Sequence, residues 1–414
     1  PLMFKKTKIA IIGGGASGFF TAINIAEQIT TSEITIYEGS NKLLSKVLIS
    51  GGGRCNVTNK IYEPIQLSKN YPRGSDFLID AFEQFNSLNT QEWFKERGVG
   101  LKTEEDGRVF PISNTSRSIY ECLYNAAIKN NVKIKTNFRL TDLKRTAFHW
   151  DLKFKDEIIS ADYVVLCTGC NSGIFKILEN NKISIIPNVP SLFTFNANNH
   201  RIKHLSGISI KNASVTVKEN NQEAQNGPLL ITHAGFSGPS ILKLSAWNAV
   251  SLASLNYKFT LEINWLPDIL VQDLEAKFKL FTQTKPKEKV LSFKDHHLPK
   301  RLWQELFELA NLHPYCNWSE IGKKGIARLI NSLCHLRVRI DGKSTFKEEF
   351  VTAGGIDLNY VNKPSFGIRG HSNLYAAGEL LNIDAITGGF NFQAAWTGGF
   401  LVAKDILLKI KSKK

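Results

Sequence analysis

The feature that most constrains the fold is a glycine-rich turn near the start of the chain, between a short apolar segment and a helical pattern. The apolar run 8–12 precedes the sequence GGGASG at 13–18, and apolar residues then recur at helical spacing. A second apolar stretch ends at Glu38, 20 residues after Gly18. This order of strand, turn, helix, strand and acid predicts a Rossmann-type βαβ unit.

Each part of this unit has a distinct physical role in holding a dinucleotide. Gly13 permits the tight turn, Gly15 lets the backbone approach a pyrophosphate, and Gly18 lets the helix pack closely on the strand. The helix N-terminus offers free N–H groups to phosphates, and Glu38 is placed to accept hydrogen bonds from a ribose. The alternative interpretation is an ordinary glycine-rich turn. We predict dinucleotide binding.

The C-terminal part of the chain favours FAD over a nicotinamide as the resident dinucleotide. Residues 373–379 predict a strand running into a Gly-Glu turn, and the glycines of 388–391 open a helix whose positive end suits the flavin N1–C2=O edge. Residues 162–169 predict a buried strand passing under the adenosine half. An ordinary strand–turn–helix is the alternative for the C-terminal segment. The sequence contains no second glycine fingerprint, so NADH or NADPH is expected to bind only transiently as reductant.

Four segments together resemble the BaiN/RdsA-type NAD(P)/FAD-dependent oxidoreductases over nearly the whole chain. They are IIGGGASG at 11–18, SGGGRCNVTN at 50–59, GPLLITHAGFSGPSIL at 227–242 and LYAAGELLNIDAITGGFNFQAAWTGG at 374–399. The resemblance implies an α/β protein whose Rossmann-like FAD-binding domain is built from both chain ends, with an inserted β-rich domain and a small helical domain. The predicted boundaries are 1–190, 191–266, 267–335, 336–350 and 351–414.

The resemblance also implies which residues line FAD. In this sequence they are Gly13, Gly15, Gly18, Glu38, Arg54, Cys55, Leu140, Thr168, Gly169, Gly378, Asp384, Gly389 and Asn391. The predicted cofactor-binding set also includes Ala16, Ser17, Gly39, Lys46, Gly53, Glu379, Gly388 and Phe390.

Two residues are candidate proton donors. The resemblance puts Cys55 next to the flavin ring, where a thiol beside Arg54 could protonate a substrate, although a cysteine also packs well in a glycine turn. His233 lies in a loop that the resemblance turns towards the flavin, and it could donate a proton or cap the turn. Arg54 is a candidate to pair with an FAD phosphate or with anionic flavin.

The remaining cysteines and histidines predict no further site. Cys167 and Cys170 form a C-x-x-C, but they end a strand on the adenosine side, so packing is favoured over thiol–disulfide chemistry. His313, Cys316, Cys334 and His335 are possible zinc ligands, but the adjacent Cys334 and His335 point in different directions. We therefore predict no metal site.

The middle of the chain changes pattern once. From about residue 190 to 265 apolar and polar residues alternate, which predicts antiparallel strands, and after Pro267 helical spacing takes over. The net charge of the chain is +15, with +5 in 270–350 and +6 in 129–155. If both stretches faced one groove they could follow a phosphate backbone, and solvated helix and strand faces are the alternative.

Composition bounds the remaining possibilities. Hydrophobic residues make up 43% and charged residues 21% of 414, an ordinary globular balance. Six cysteines are too few for a disulfide scaffold, and no signal peptide or membrane span is expected, so we predict a cytoplasmic protein of unknown oligomeric state.

The predicted function is that of an FAD-dependent oxidoreductase that uses NAD(P)H to reduce a C=C bond. The resemblance links family members to dihydrouridine formation in large-subunit ribosomal RNA and to small molecules such as enones or aminoacetone. The charge favours RNA as the substrate partner. The alternatives are a small-molecule reductase or oxidase with an incidentally basic surface, and a flavin-binding redox sensor.

Overall fold

The computed structural model describes residues 6–198, 200–220, 222–294, 296–344 and 351–412. The chain divides into two compact units, Pro1–Val189 with Val351–Lys414 and Pro190–Phe350. The first unit therefore combines both ends of the chain around one hydrophobic core, and the second has a core of its own.

The strands lie in chain order as follows: β1 (Thr7–Ile12), β2 (Ser32–Tyr37), β3 (Thr58–Asn59), β4 (Leu101–Thr103), β5 (Arg108–Pro111), β6 (Lys133–Lys135), β7 (Asp142–Arg145), β8 (Trp150–Lys153), β9 (Ile158–Ala161), β10 (Tyr163–Leu166), β11 (Ile185–Ser191), β12 (Phe195–Asn196), β13 (Ser209–Val217), β14 (Gln225–Ile231), β15 (Gly235–Ser237), β16 (Phe259–Asn264), β17 (Leu336–Ile340), β18 (Gly342–Lys343), β19 (Val351–Ile356), β20 (Val361–Asn362), β21 (Gly367–Ile368) and β22 (Leu374–Ala376).

The α-helices are α1 (Ala16–Ala26), α2 (Ser45–Gly53), α3 (Pro64–Ser68), α4 (Ser75–Gln84), α5 (Ser87–Glu96), α6 (Arg117–Lys129), α7 (Ser172–Asn180), α8 (Pro239–Trp247), α9 (Ala249–Ser254), α10 (Val271–Thr284), α11 (Lys300–Leu309), α12 (Trp318–Cys334) and α13 (Phe390–Lys411). Single turns of 3₁₀ helix occur at Lys203–Leu205, Val290–Ser292, Leu358–Tyr360 and Gly378–Leu380.

The first unit is built on a sheet in the order β20-β21-β22-β10-β1-β2-β6. From β22 to β6 all neighbours are parallel, and β1 lies between β10 and β2, with Ile9 opposite Tyr163 on one side and Ile34 on the other. The inner residues of β1 are buried on both faces, which explains why its sequence is continuously apolar rather than alternating. The predicted Rossmann-like α/β fold from both chain ends is confirmed.

Helices from opposite ends of the chain pack against each other beside this sheet. A Cβ at Gly399 of α13 would lie 3.0 Å from Thr21 Oγ1 and 3.1 Å from Ser17 O, both on α1. The backbone of α13 therefore approaches α1 as closely as a glycine permits. Because the carboxyl ends of β1, β2, β10 and β22 share one edge of the sheet, the loops that follow these four strands meet there.

The second unit contains a sheet in the order β17-β16-β13-β14-β15-β12-β18, antiparallel in its assigned pairs. Its strands alternate buried and half-buried residues, as β16 shows along its length. Helices α10, α11 and α12 share their hydrophobic core with this sheet. The β-rich and helical segments thus belong to one compact unit, and the finer predicted boundaries at 266 and 335 stay predictions.

The structure differs from the sequence interpretation in one stretch of the second unit. The alternating pattern predicts strands through residue 265, but α8 and α9 occupy Pro239–Trp247 and Ala249–Ser254. Gly238 has φ +100 and Pro239 occupies the first turn, two features that start a helix where a longer strand would otherwise continue. Residues 345–350 of the predicted return segment lie outside the described residues.

The described helices do not include one long and apolar enough to cross a membrane.

Candidate functional site

The loop between β1 and α1, residues 13–18, is called here the N-terminal glycine turn. Gly13 has φ +114, and a Cβ on it would lie 2.6 Å from the carbonyl carbon of Cys167. A Cβ on Gly18 would overlap the carbonyl oxygen of Gly13. Gly15 is different, because among the described residues no atom beyond the adjoining backbone lies within 4 Å of the position its Cβ would take. The turn is therefore closed by protein at Gly13 and Gly18 and open at Gly15.

The N-terminus of α1 is suited to an anion. Gly15 is its N-cap residue, and within the described chain no side chain caps the helix and no acidic residue lies in its first turn. The backbone N–H groups and the positive end of the helix dipole are therefore left for a ligand. A Gly15 backbone that can be approached closely, at an uncapped helix N-terminus, fits a pyrophosphate, as the sequence predicts.

Glu38 follows β2 at the same edge of the sheet. Its Oε2 accepts a hydrogen bond from Gly14 N (2.8 Å), and its Oε1 accepts from the backbone N and the hydroxyl of Ser40 (2.8 Å each). These bonds fix the orientation of the carboxylate beside the N-terminal glycine turn. Since a carboxylate has about four acceptor positions, it retains capacity for the hydroxyl of a ribose.

Two further predicted segments meet at this edge. Gly169 after β10 has φ +63 and Gly378 after β22 has φ +75. A Cβ on Gly378 would lie 2.6 Å from Ser17 Oγ on α1. Glu379 forms an ion pair with Lys46 of α2 and accepts hydrogen bonds from the N–H and hydroxyl of Thr352 (3.2 Å each).

The structure thus brings most of the predicted cofactor residues to one edge of the sheet. These residues are Gly13, Gly15, Ala16, Ser17, Gly18, Glu38, Gly39, Lys46, Thr168, Gly169, Gly378 and Glu379. Leu140 is buried just beyond Phe138, whose N–H donates to Glu38 O (2.8 Å).

A second group of predicted residues forms where 51–59 lies against 388–391, two stretches called here the paired segments. Gly389 has φ +85, and a Cβ on it would lie 2.7 Å from the carbonyl carbon of Thr58. Asn59 Nδ2 donates to Gly388 O (3.1 Å). Gly52 and Gly53 also have positive φ, but within the described part of the chain no atom beyond the adjoining backbone lies within 4 Å of their Cβ positions. As at Gly15, the backbone of one segment is open to approach.

The N-terminus of α13 lies in the paired segments and has the same electrostatic character as that of α1. Gly389 is its N-cap residue, and the described residues supply neither a side-chain cap nor an acid in the first turn. A helix end of this kind stabilises negative charge. It suits the pyrimidine edge of a flavin, which becomes negative on reduction, so the donor set present here fits FAD.

A buried hydrogen-bond network holds the paired segments together. Gln393 Oε1 on α13 accepts hydrogen bonds from Thr58 Oγ1 (2.6 Å) and Thr90 Oγ1 (2.9 Å), and Gln393 Nε2 donates to Thr397 Oγ1 (3.1 Å). Trp396 Nε1 donates to Val57 O (3.0 Å). Because these groups are buried, each bond also avoids the cost of an unsatisfied polar atom.

Arg54 is positioned by a carboxylate and an aromatic ring. Its Nη1 lies 2.6 Å from Glu104 Oε1, and its guanidinium lies 4.0 Å from the centre of the Phe110 ring. Arg108 approaches the same carboxylate at 3.2 Å. A guanidinium keeps several N–H donors after one ion pair, so Arg54 can still bind an anionic group. Its predicted role stays a prediction.

Three of the predicted side chains are engaged within the protein, and their predicted roles stay predictions. Cys55 is fully buried, with φ +60, and its burial raises the pKa of the thiol to about 12. Asp384 is also fully buried and forms an ion pair with Arg73. Asn391 spans its own loop, accepting from Ala385 N (3.1 Å) and donating to Ala385 O (3.2 Å). In this structure Cys55 therefore packs in the core, Asp384 holds Arg73, and Asn391 closes its loop.

His233 lies in the second compact unit, in the turn between β14 and β15. The turn is closed by Thr232, whose N–H donates to Gly235 O (2.8 Å), and the His233 residue is exposed. An exposed imidazole can exchange protons with solvent and with a bound molecule. Its catalytic role stays a prediction.

The C-x-x-C pair occupies two different environments. Cys167 is buried beneath the N-terminal glycine turn, and Cys170 Sγ donates to Glu379 O (2.8 Å). Burial raises the pKa of both thiols to about 12. Because a thiolate is the reactive form of cysteine, this environment favours packing, as the sequence interpretation holds.

Sequence reasoning missed several residues that shape the site. Tyr71 Oη donates to Phe390 O (2.6 Å) at the start of α13, and Arg73 pairs with Asp384. Glu104 and Phe110 position Arg54, and Gln393 joins the paired segments. None of these residues lies in a motif with a known spacing except Gln393, which follows the Gly-Gly-Phe-Asn sequence.

Comparison with known proteins agrees with this geometry. The class of protein is defined by three features: a Rossmann-type sheet with a glycine turn, an acidic residue after its second strand, and a C-terminal segment that returns to the sheet. These features are typical of FAD-binding flavoprotein oxidoreductases. Residues 7–405 match the HI0933-like protein Rossmann domain, and the chain belongs to this family.

Two curated relatives span nearly the whole chain. One, named ribosomal RNA dihydrouridine synthase, is from Escherichia coli; it is 27% identical over 410 residues, 96% of this chain and 97% of the relative. Another, named 3-dehydro-bile acid delta(4,6)-reductase, is from Clostridium scindens; it is 26% identical over 407 residues, 96% of this chain and 98% of the relative.

Among solved structures, a quinol–fumarate reductase with menaquinol molecules is similar at a TM-score of 0.50 and 11% identity, covering 99% of this chain and 73% of that one. The likeness concerns the fold alone.

Proposed function

We propose that this protein is an FAD-dependent reductase that uses NADH or NADPH to saturate a C=C bond, with a uridine of large-subunit ribosomal RNA as the substrate. The observation that carries the proposal is the pair of uncapped, glycine-led helix N-termini, α1 and α13, within one compact unit. One supports the pyrophosphate and the other the ring of the same long cofactor.

The overall reaction balances without a further oxidant or reductant. NAD(P)H gives up a hydride, one proton comes from solvent or a protein acid, and the substrate C=C bond becomes CH–CH, leaving NAD(P)⁺. Bound FAD would carry the two electrons between the nicotinamide and the substrate. In uridine the bond reduced is C5=C6, and the product is dihydrouridine.

The residues of the chain have the following parts in this proposal. Gly15 and the α1 N-terminus bind the pyrophosphate, and Glu38 accepts from the adenosine ribose. The α13 N-terminus and Arg54 stabilise the negative charge that gathers at the pyrimidine edge during reduction. The buried Thr58–Gln393 hydrogen bond keeps the α13 end aligned.

Two observations support RNA as the substrate class. The relatives named ribosomal RNA dihydrouridine synthase, from Escherichia coli and Haemophilus influenzae, each match 96% of the chain. The net charge of +15 favours encounter with a polyanion. A target uridine has to leave its stack to reach a buried ring, so a single-stranded or loop segment is expected.

The relative named for bile acid reduction supports a second candidate, a reductase of small conjugated enones. The same hydride and proton are delivered in that case, but to a carbon–carbon double bond conjugated with a ketone. The basic surface is then incidental to the reaction.

An in-vitro reduction assay separates these candidates. The purified protein with FAD is mixed anaerobically with NADPH or NADH and with large-subunit ribosomal RNA transcribed in vitro. The transcript is unmodified and therefore contains no dihydrouridine. We expect the visible absorbance of the flavin to fall. After digestion of the RNA to nucleosides, we expect one uridine product whose mass is larger by two hydrogen atoms. A steroid enone serves as the competing substrate. Reduction of the enone with unchanged RNA would replace the first candidate by the second, and unreduced flavin with either nicotinamide would contradict both.

A further inference from the structure

The second compact unit contains a surface cavity of about 860 Å³ whose lining is strongly basic. Four arginines from three separate elements line it, and together they are called here the arginine groove: Arg201 before the first 3₁₀ turn, Arg328 on α12, and Arg337 and Arg339 on β17. Among the described lining residues the one acidic side chain is Asp341. The groove therefore carries an excess of positive charge.

The arginines are anchored in a way that leaves most of their donors available. Arg328 Nε donates to Ala310 O (2.7 Å), and Arg337 Nε lies 3.0 Å from Glu262 Oε2. The nearest carboxylate to Arg339 is Glu219, at 3.7 Å. The side chains of Arg337 and Arg339 are 64% and 61% exposed. Since a guanidinium has five N–H donors, each retains a face for an anionic ligand.

The acidic groups nearby are already engaged. Asp341 Oδ2 accepts a hydrogen bond from Asn198 N (2.9 Å). Glu262 is surrounded by Arg337, Lys218 and His335, at 3.0, 3.5 and 3.6 Å, and these partners hold the pKa of its carboxyl below its usual value despite burial. Glu262 is thus shared among three basic groups, and the four arginines outnumber the acidic groups near them, so the groove keeps a net positive charge.

Local structure arranges the charges in a row. β17 is at the end of its sheet and pairs with β16 on one side, with Arg337 opposite Glu262 and Arg339 opposite Thr260. Because side chains alternate along a strand, Arg337 and Arg339 extend from the same face, about 6.6 Å apart along the strand. Two guanidinium groups at this spacing match a ligand with repeating phosphates better than they match a single small anion.

A buried histidine forms part of the wall of the cavity. His200 lines the same cavity and is 7% exposed, yet neither of its ring nitrogens has a hydrogen-bond partner among the described residues. Both nitrogens are covered by protein, and the ring packs against Phe236 with the ring centres 5.0 Å apart. His200 therefore forms part of the packed wall of the cavity, and the contacts to a ligand fall to the exposed arginines.

We propose that the arginine groove binds the phosphodiester backbone of a single-stranded RNA segment. The inference rests on the RNA substrate of the proposed function and assigns its anchoring site to residues of the second unit. A backbone contact of this kind fixes the position of the RNA without reading its sequence.

The test compares two variants of the holoenzyme that remove the same charge. One is Arg201→Ala/Arg328→Ala/Arg339→Ala. The control is Lys211→Ala/Lys258→Ala/Lys294→Ala, three exposed lysines of the same unit that do not line the cavity. The probe is a fluorescein-labelled single-stranded RNA of about 20 nucleotides, titrated at several salt concentrations. Flavin content, thermal unfolding and the rate of flavin reduction at saturating NADPH confirm that each variant is intact.

We expect the groove variant to bind the RNA at least about tenfold more weakly, with the salt slope reduced by about 2, while the lysine control stays close to wild type. If Arg328→Ala weakens folding through the lost Ala310 contact, the double variant Arg201→Ala/Arg339→Ala carries the comparison.

Four results would overturn the inference, and they differ in which part of the proposal they contradict. Equal RNA affinity in wild type, groove variant and control contradicts RNA binding by the groove, but it does not contradict RNA reduction by the enzyme. Equal losses in groove variant and control mean that overall charge is responsible. A raised KM for NADPH with unchanged RNA affinity assigns the groove to a dinucleotide phosphate. Wild-type protein that neither binds nor reduces RNA contradicts the RNA substrate itself.

Discussion

The N-terminal glycine turn and the paired segments, which we assign to the two ends of the proposed cofactor, are formed by different means. The glycine turn is formed within one βαβ unit, and its long-range contacts are to the backbone at the end of β10 and, through Ser17, to Gly378 and Gly399. The paired segments join residues more than 300 positions apart, through Gly389 against Thr58 and through the buried Gln393 network. Local sequence thus determines the first, and tertiary packing determines the second.

The comparison also explains how each region combines rigidity with access. In both regions, neighbouring backbone leaves no space for a Cβ at some glycines and leaves space at others. Gly13 and Gly18 have no such space in the glycine turn, whereas Gly15 has it. In the paired segments Gly389 has no such space, whereas Gly53 has it. The closed positions set the backbone path and the open ones are where a ligand approaches. Substituting one of each kind separates folding from binding.

The largest effect is expected for Gly18→Ala. The new Cβ would overlap the carbonyl oxygen of Gly13, and neither backbone segment can move without disturbing β1 or α1. We expect a loss of more than about 3 kcal/mol in the free energy of unfolding and no bound flavin.

Gly15→Ala is the matched variant for Gly18→Ala. It should unfold within about 1 kcal/mol of wild type, because Gly15 has φ −93 and space for a Cβ, yet bind FAD at least about tenfold more weakly. Denaturant unfolding and FAD titration measure both. Undiminished FAD affinity in Gly15→Ala would show that the pyrophosphate does not lie on this turn.

The next largest effect is the difference in stability between Gly389→Ala and Gly53→Ala in the paired segments. Both residues have positive φ, so each alanine costs about 1–2 kcal/mol in backbone strain. Gly389→Ala also forces the new methyl group against the carbonyl of Thr58, so its loss of stability should be larger by about 1 kcal/mol or more. Thermal unfolding compares the two, and equal losses would mean that the Thr58–Gly389 approach is not as close as described.

A smaller effect is expected for the buried network. Gln393→Leu leaves the Thr58 and Thr90 hydroxyls without their common acceptor, which should destabilise the protein by about 2 kcal/mol. Thr58→Val should cost about 1 kcal/mol. The double variant should lose less than the sum of the two, since both changes remove the same bond. Strict additivity would show that the two groups do not interact.

The smallest effect on turnover is expected for Cys55→Ala. A general acid contributes about 10²–10⁴-fold to a rate, but the Cys55 side chain is covered by protein. We expect kcat within about threefold of wild type in the NADPH-driven reduction. A fall of a hundredfold or more would identify Cys55 as the acid.

The same variant has a pH signature. The pKa of Cys55 is raised to about 12 in the folded protein, so the unfolded chain loses the thiol proton first. The stability that the neutral thiol contributes is present below about pH 8.5 and declines as pH rises towards 12. Between pH 9 and 11 the wild type should therefore lose stability more steeply than Cys55→Ala, by up to about 1.4 kcal/mol per pH unit.

Much of the first unit could be predicted from sequence because its signals are local. The apolar run of β1, the glycine spacing and the position of Glu38 each depend on residues close in the chain. The C-terminal return at Gly378 and Gly389 was identified as a second glycine-led segment, and the resemblance supplied its partner at 50–59. No local pattern points from Tyr71 to Phe390 or from Arg73 to Asp384, since those contacts arise only when the two chain ends pack together.

In the second unit, local sequence patterns predicted less of the structure. Alternation predicted its antiparallel strands, but α8 begins at Gly238 and Pro239 within the same stretch, where a turn signal and a helix start look alike in sequence. The four arginines of the groove are spread from 201 to 339, so charge counting by segment did not reveal that they line one cavity. Net charge indicates a polyanionic partner, and only the fold indicates a surface for it.

The most direct test of the whole account is the affinity of the purified apoprotein for FAD, compared with its affinity for FMN, which has the same ring but lacks the adenosine half and the second phosphate. Because the N-terminal glycine turn and Glu38 are assigned to that half, FAD should bind at one equivalent and at least about a hundredfold more tightly than FMN. Equal binding of the two, or binding of neither, would contradict the central claim.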